Sequence, residues 1–315
     1  MGFSLPVVRG AIRYQRRKGV KMKNGSPLRY PGGKAIMTNF FIDLFAENRL
    51  TNIVYVEPYA GGAGAAINLL LRKHVDRIII NDANSGIYSF WYALLNESAR
   101  FIQTINDIPV TLDEWHHQKE ILKSTKSPSF ELGVATFFLS RTNRSGVISG
   151  GAIGGTTTEK QNSAKYKIDC RFNKPDLLAR LNAIVNQKER ITICNQDALH
   201  FLKNLNEDVF VYLDPPYYIK GKYLYMNHYT DKSHKELADL LQHDANFKWV
   251  LSYDDTPQIR SMYEKLELFR FPLTYTVKER QVGYELLTHS ESLKIPEEKI
   301  IRRNQRGNIA LELVN

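Results

Sequence analysis

From residue 34 onward the apolar positions follow two alternating periods. Ile36, Phe40, Leu44 and Phe45 recur at helical spacing and predict a helix over 35–48. Ile53-Val54-Tyr55-Val56-Glu57 is a short, nearly unbroken apolar run, which predicts a buried strand. Gly61, Gly62 and Gly64 then turn the chain into a helix through Ile67, Leu70 and Leu71. Ile78-Ile79-Ile80 predicts the next strand, ending at Asn81-Asp82, and a helix follows through Ile87, Phe90 and Leu94. A strand–helix–strand–helix series argues for a mostly parallel sheet covered by helices.

The alternation stops between about 97 and 175, a segment that reads as two or three helices and a long loop. The loop, Arg141 to Thr158, is dense in Gly, Ser and Thr. A stretch this long inside a compact domain is usually functional or disordered. Strands resume at Ile191–Cys194, Val209–Leu213 and Trp249–Leu251, with helices between them. Ser233 and Glu236 have the spacing of a capping box at the start of one such helix. The simplest division has a basic lead at 1–24, one α/β domain from 25–96 and 176–315, and a mainly helical insertion at 97–175 after the second strand.

Composition narrows the picture. No apolar run approaches the ~20 residues of a membrane helix. Cys170 and Cys194 are not spaced as a metal pair, and they read as two reduced thiols in a cytoplasmic protein. Neither follows a proline, as the attacking cysteine of a cytosine-ring methylase would. The formal charge of +10 is concentrated: residues 1–34 hold nine Lys and Arg and no acid, which leaves the other 281 near neutrality. The overall charge therefore says little about the folded body. The lead lacks a charged start and a continuous apolar core, which argues against a secretory signal. It reads as a disordered arm or a start-site artefact before Met22, with a DNA-binding arm as the other reading. His116-His117 reads as a surface pair.

Three motifs carry chemistry. Glu57-Pro58-Tyr59-Ala60-Gly61-Gly62-Ala63-Gly64 follows a buried strand, and its glycines permit a tight turn and a close backbone approach to a ligand. Asp82, at the end of the next strand, could hold two ribose hydroxyls of an adenosine-type cofactor. The glycine spacing disfavours a dinucleotide site. Asp214-Pro215-Pro216-Tyr217-Tyr218 directly follows an apolar strand, where the ligand crevice of an open α/β sheet lies. An adenine amino group is a poor nucleophile because its lone pair is delocalised into the ring. The Asp214 carboxylate and the Pro215 carbonyl can accept both amino hydrogens, the prolines stiffen the loop, and Tyr217 offers a flat face for a base. Inside a duplex that base must be flipped out. Arg29-Tyr30-Pro31-Gly32-Gly33-Lys34 precedes the first helix, and Lys34 there could bind a carboxylate such as that of methionine. Each motif alone also reads as a plain structural turn.

Taken in order, these motifs resemble the Dam-like adenine-specific DNA methyltransferases over most of residues 26–290. RYPGGK at 29–34, EPYAGGAGAA at 57–66, NDAN at 81–84, NQDA at 195–198 and DPPYY at 214–218 are similar to the cofactor and catalytic motifs of that group. SYDD at 252–255 and RQVGYELL at 280–287 are similar to weaker downstream ones. The resemblance implies a class I methyltransferase (Rossmann-like) sheet with an inserted target-recognition domain. It implies S-adenosylmethionine as cofactor, held by Tyr30, Lys34, Glu57, Pro58, Gly61, Gly62, Gly64, Asp82, Asp197 and Asp214. It implies catalysis by Asp214, Pro215, Pro216 and Tyr217 on double-stranded DNA, without a metal, with a cognate restriction endonuclease as a compatible partner. Residues 137–155 lack the hairpin pattern of GATC-reading members. Residues 135–175 carry seven Lys and Arg against two acids, and Arg141, Asn143, Arg144, Lys160, Lys165 and Arg171 are the candidate phosphate or base contacts. The rival readings are cytosine N4, RNA or protein as substrate, or a DNA-binding relative without activity.

Overall fold

The computed structural model describes residues 25–205, 208–218, 229–275, 281–302 and 308–314. The basic lead at 1–24 lies outside the described residues.

The apolar runs become strands β1 (Val54–Glu57), β2 (Arg77–Asn81), β3 (Ile191–Cys194), β4 (Val209–Leu213) and β5 (Lys248–Asp254). These five lie parallel in the order β3-β2-β1-β4-β5. The sheet continues through β7 (Gln281–His289), antiparallel to β5, then β6 (Phe269–Tyr275) and β10 (Glu312–Leu313). A small hairpin, β8 (Ile300–Arg302) with β9 (Asn308–Ala310), stands apart from it. The chain first builds β1, β2 and β3 outward, then returns to place β4 on the other side of β1. That reversal is the topological switch point at which open α/β sheets bind ligands.

The runs are continuously apolar because the sheet is covered on both faces. Phe210 and Tyr212 of β4 enter one core cluster, whereas Val211 and Leu213 enter the other. Tyr55 and Val56 of β1 divide in the same way. On the first face lie α1 (Thr38–Glu47), α2 (Gly64–Leu71), α3 (Ser85–Asn96) and α8 (Lys174–Val185). Phe41 of α1 sits edge-on to Tyr55, Phe210 and Tyr212, with ring centroids 4.8 to 5.8 Å away. The second face is covered by α9 (Ala198–Lys203), α10 (Asp231–Asp239) and α11 (Pro257–Met262). Thr230, not Ser233, caps α10: its hydroxyl accepts from the Ser233 amide, one of the orphan donors of that helix end.

Between β2 and β3 the chain adds α4 (Ser98–Asp107), α5 (Leu112–Ser124), α6 (Phe130–Thr142) and α7 (Thr158–Ser163). Phe101, Phe137 and Phe138 continue the first core cluster, so these helices extend the core of α3 without a break.

The Gly- and Ser-rich loop after α6 is an ordered structure built on two buried amides. Asn143 is fully buried. Its side-chain carbonyl accepts from Trp115 Nε1 at 2.7 Å, and its amide donates to the carbonyls of Val147 and Ile148 at 2.9 and 2.8 Å. Gln161 donates to Ile153 and Gly155 and accepts from the Ile168 amide. Asn143, expected to contact DNA, has its side-chain polar atoms engaged within this loop. Arg141 is 9% exposed, and its Nε donates to the Arg171 carbonyl. Arg144, Lys160, Lys165 and Arg171 are exposed.

Replacing Asn143 with Leu should destabilise the protein by about 3 kcal/mol, since it strands a buried indole N–H and two carbonyls. Urea titration checks this; a change below about 0.5 kcal/mol contradicts the scaffold role.

Candidate active site

The switch point opens into a cleft of about 290 Å³. Its wall is drawn from the turn at 30–34, the glycine loop after β1, the end of β2, the start of α9 and the end of β4. All ten residues expected to hold a cofactor line it: Tyr30, Lys34, Glu57, Pro58, Gly61, Gly62, Gly64, Asp82, Asp197 and Asp214. They come from five segments that the parallel topology gathers at the carboxyl ends of the strands.

The glycine loop is a tight construction. Gly61 has φ +46°, and a Cβ there would stand 2.7 Å from the Tyr30 ring. The motif at 29–34 and the motif at 57–64 therefore pack directly on each other. Ala63, also left-handed, precedes α2 and offers that helix no side-chain cap. Glu57 supplies one from the preceding strand, accepting the Ala66 amide at 2.9 Å and the Tyr55 hydroxyl at 3.2 Å. Burial pushes the Glu57 carboxyl up to about 8, against the pull of those two hydrogen bonds and with a further push from Asp214.

Asp82 is held from both sides. Its Oδ2 accepts the Gly61 amide and its Oδ1 the Asn84 amide, each at 2.8 Å. Burial brings its carboxyl up to about 6, with the two amides pulling the other way. Asn81, fully buried, donates to the carbonyls of Pro58 and Gln196 and accepts the Gln196 amide, so one side chain joins the ends of β1, β2 and β3. Asp197 is exposed and caps α9 through the His200 amide.

The centre of the site is Lys34. It is 5% exposed, and its Nζ lies 2.8 and 2.9 Å from the two Asp214 oxygens, 2.8 Å from the Tyr217 hydroxyl and 3.0 Å from the Gly32 carbonyl. Glu285 of β7 is 3.5 Å away and fully buried. An ammonium has three donors, and these partners occupy them. In this arrangement Lys34 holds the carboxylate of Asp214 while also lining the cleft. Ser252 of β5 donates to Oδ1 of Asp214, one of the two oxygens that Lys34 holds, and Tyr212 reaches Ser252 in turn.

The tetrapeptide after β4 is divided. Asp214 and Pro216 line the cleft. Pro215 and Tyr217 are buried, and the Tyr217 hydroxyl donates to Glu285. Tyr217, expected to offer a flat face to a base, is 6% exposed in this arrangement, with its hydroxyl inside the Lys34 cluster. Sequence reading also passed over Ser252, Glu285, Tyr229 and Ser233. The first two lie within SYDD and RQVGYELL, whose similarity to family motifs was the available signal. Tyr229 and Ser233 line the cleft from the segment before and within α10 and carried no signal.

Sheet order, switch-point cleft and carboxylate placement together define a class I methyltransferase type of α/β protein. The chain belongs to the D12 class of N6 adenine-specific DNA methyltransferases, whose family pattern matches residues 30–280. A stretch of 96 residues is 34% identical to the modification methylase StsI of Streptococcus sanguinis, spanning 29% of this chain and 12% of that protein. Among solved structures, the rRNA methyltransferase aviRa from Streptomyces viridochromogenes matches over 84% of this chain and 86% of its own, at 13% identity and a TM-score of 0.34. A likeness that loose bears on neither substrate nor mechanism.

Glu57 yields a pH prediction. Its folded value near 8 lies above its ordinary 4.5. As pH rises through that interval the unfolded chain loses its proton first, so stability falls, by at most about 1.4 kcal/mol per pH unit. Urea midpoints at about pH 5 and 8 should fall more for the wild type than for Glu57→Gln. Equal falls contradict the assignment.

Proposed function

We propose that the protein transfers a methyl group from S-adenosylmethionine to the N6 amino group of adenine in double-stranded DNA, with the base turned out of the helix into the cleft. One observation carries the reading. A buried ammonium, Lys34, holds both oxygens of the Asp214 carboxylate at the end of β4, in the same cleft as Asp82.

The cleft suits a nucleoside-bearing cofactor. The two amides on Asp82 leave lone pairs for ribose hydroxyls, and the strained glycine turn brings backbone to the cleft wall. Asp197 lines the same wall, where a purine amino group would find an acceptor. Bound there, S-adenosylmethionine supplies an electrophilic methyl group on sulfur.

The remaining work falls to Asp214 and its neighbours. Asp214, with the Pro215 carbonyl, accepts the amino hydrogens of adenine and restores lone-pair density to the nitrogen. As that nitrogen gains positive charge, the fixed carboxylate stabilises it without reorganising. The nitrogen attacks the methyl group directly, and no covalent link to the protein forms. Lys34 keeps Asp214 in register, and two prolines restrain the loop. A stacking role for Tyr217 requires a face of its buried ring to be uncovered. We assign target recognition to 97–175, with the exposed Arg144, Lys160, Lys165 and Arg171 meeting DNA. A cytoplasmic protein working beside a cognate restriction endonuclease fits this reading. Among the described residues no helix is long and apolar enough to cross a membrane.

Asp214→Asn, nearly isosteric, should lower kcat for methyl transfer to duplex DNA by about 10²–10³-fold while the protein stays folded. Turnover within about threefold of wild type rejects the mechanism. Asp82→Asn should weaken S-adenosylmethionine about tenfold or more in calorimetry. With the Asp82 carboxyl near 6, wild-type affinity should fall as pH drops below that value, and the Asn variant should lack this dependence. An identical pH profile in the two proteins refutes the assignment.

A further inference from the structure

Beside the cleft, where the insertion meets the motif at 29–34, four arginines converge. Arg29 directly precedes Tyr30, and its Nη1 donates to the Asn143 carbonyl at 3.4 Å. Gly146, with φ +77°, has the Arg29 carbonyl 2.5 Å from where a Cβ would stand, so the loop after α6 lies on the Arg29 backbone. Arg141, on the last turn of α6, is 9% exposed and donates through Nε to the Arg171 carbonyl at 3.1 Å. Arg180 of α8 donates to the Ser26 carbonyl and pairs with Asp176 at 2.9 Å.

That pair leaves three guanidinium groups. Among the described residues no carboxylate lies within ion-pair distance of Arg29, Arg141 or Arg171. The groups feel one another. Burial, then Arg180 and Arg29, bring Arg141 down to about 10, with Asp176 pulling the other way; burial, then Arg171, lower Arg29. The carbonyl end of α6 offers roughly half a negative charge. With Asp176 already paired to Arg180, that cannot balance three cations, one of them nine-tenths buried, and a buried cation short of counter-charge is costly. An anion from outside the chain resolves the imbalance.

We propose that Arg29, Arg141 and Arg171 form a phosphate-binding site that takes a backbone phosphodiester of the DNA entering the cleft. The inference rests on the DNA methyltransferase reading and adds to it a specific anchor. A diester in a polymer is favoured over a free anion because the charge continues outward: Arg144, Lys165 and Lys167 are exposed nearby in sequence on the same insertion. The anchor also has a consequence for catalysis. Arg29 adjoins Tyr30, whose ring packs on Gly61, so a phosphate held here fixes the strand relative to the cofactor loop.

The test uses the full chain, two unrelated fluorescent duplexes and a salt titration. Arg171→Gln and Arg29→Gln should each weaken both duplexes about tenfold and lower the slope of log Kd against log salt by about one. Affinity of Arg171→Gln for S-adenosylmethionine should stay within about twofold. Arg141→Gln should behave likewise; should it fail to fold, the other two variants decide. Unchanged DNA affinity and salt slope in folded Arg171→Gln and Arg29→Gln overturn the proposal. So does a site that answers to inorganic phosphate alone, seen as equal thermal stabilisation of wild type by phosphate and by duplex with no effect of the variants on duplex binding. If wild type methylates DNA while the variants bind as it does, only the anchor is wrong. If wild type neither binds nor methylates DNA, the functional reading fails with it.

Discussion

The contact between Lys34 and Asp214 joins the two ends of this protein's chemistry. The partners are 180 residues apart in sequence and 2.8 Å apart in the fold. Burying such a pair is expensive, and the attraction offsets the lost hydration only when the remaining donors and acceptors are satisfied. Here they are met by Tyr217, Gly32, Ser252 and Glu285, drawn from β4, β5, β7 and the turn before α1. The cluster therefore needs the sheet in its observed order. β7 must lie next to β5 to bring Glu285 under Lys34, and the turn at 30–34 must close over the switch point. What results is a carboxylate that is fixed in place and open on one side, which is the placement that a weak amino nucleophile needs.

A second dependence runs outward from the same turn. Tyr30 packs on Gly61, Arg29 lies beneath the loop after α6, and Asn143 holds that loop together. The insertion is thus built against the cofactor motif and shares the core of α3. Arg29, Tyr30 and Lys34 sit within six residues of one another in sequence, so a shift at one is felt at the others.

Much of the sheet was legible in the sequence because its strands are covered on both faces. Runs such as Val209–Leu213 are apolar without interruption, and a run of that kind between glycine- or proline-rich turns has few other readings. The five-segment gathering of the cleft followed from the order of the motifs. The antiparallel β6, β7 and β10 were not read, since β7 mixes Gly283, Tyr284 and Glu285 into its pattern, and Glu285 is buried only because Lys34 and Tyr217 meet it. Partners decided the other departures as well. Asn143 and Arg141 look like exposed polar residues of a basic loop, and no local pattern shows that a tryptophan N–H and a distant carbonyl claim them. Thr230 displaced Ser233 as the helix cap because both have the right chemistry and only backbone geometry separates them. Tyr217 reads as a free aromatic until the buried ammonium beside it is known.

The account stands on the substrate atom. Purified protein should be incubated with S-adenosylmethionine and unmethylated genomic DNA, the DNA digested, and the nucleosides resolved by mass spectrometry. The arrangement around Asp214 predicts N6-methyldeoxyadenosine, absent when the Asp214→Asn variant is used. N4-methyldeoxycytidine in its place, or no methylated nucleoside from a folded protein that binds S-adenosylmethionine, contradicts it.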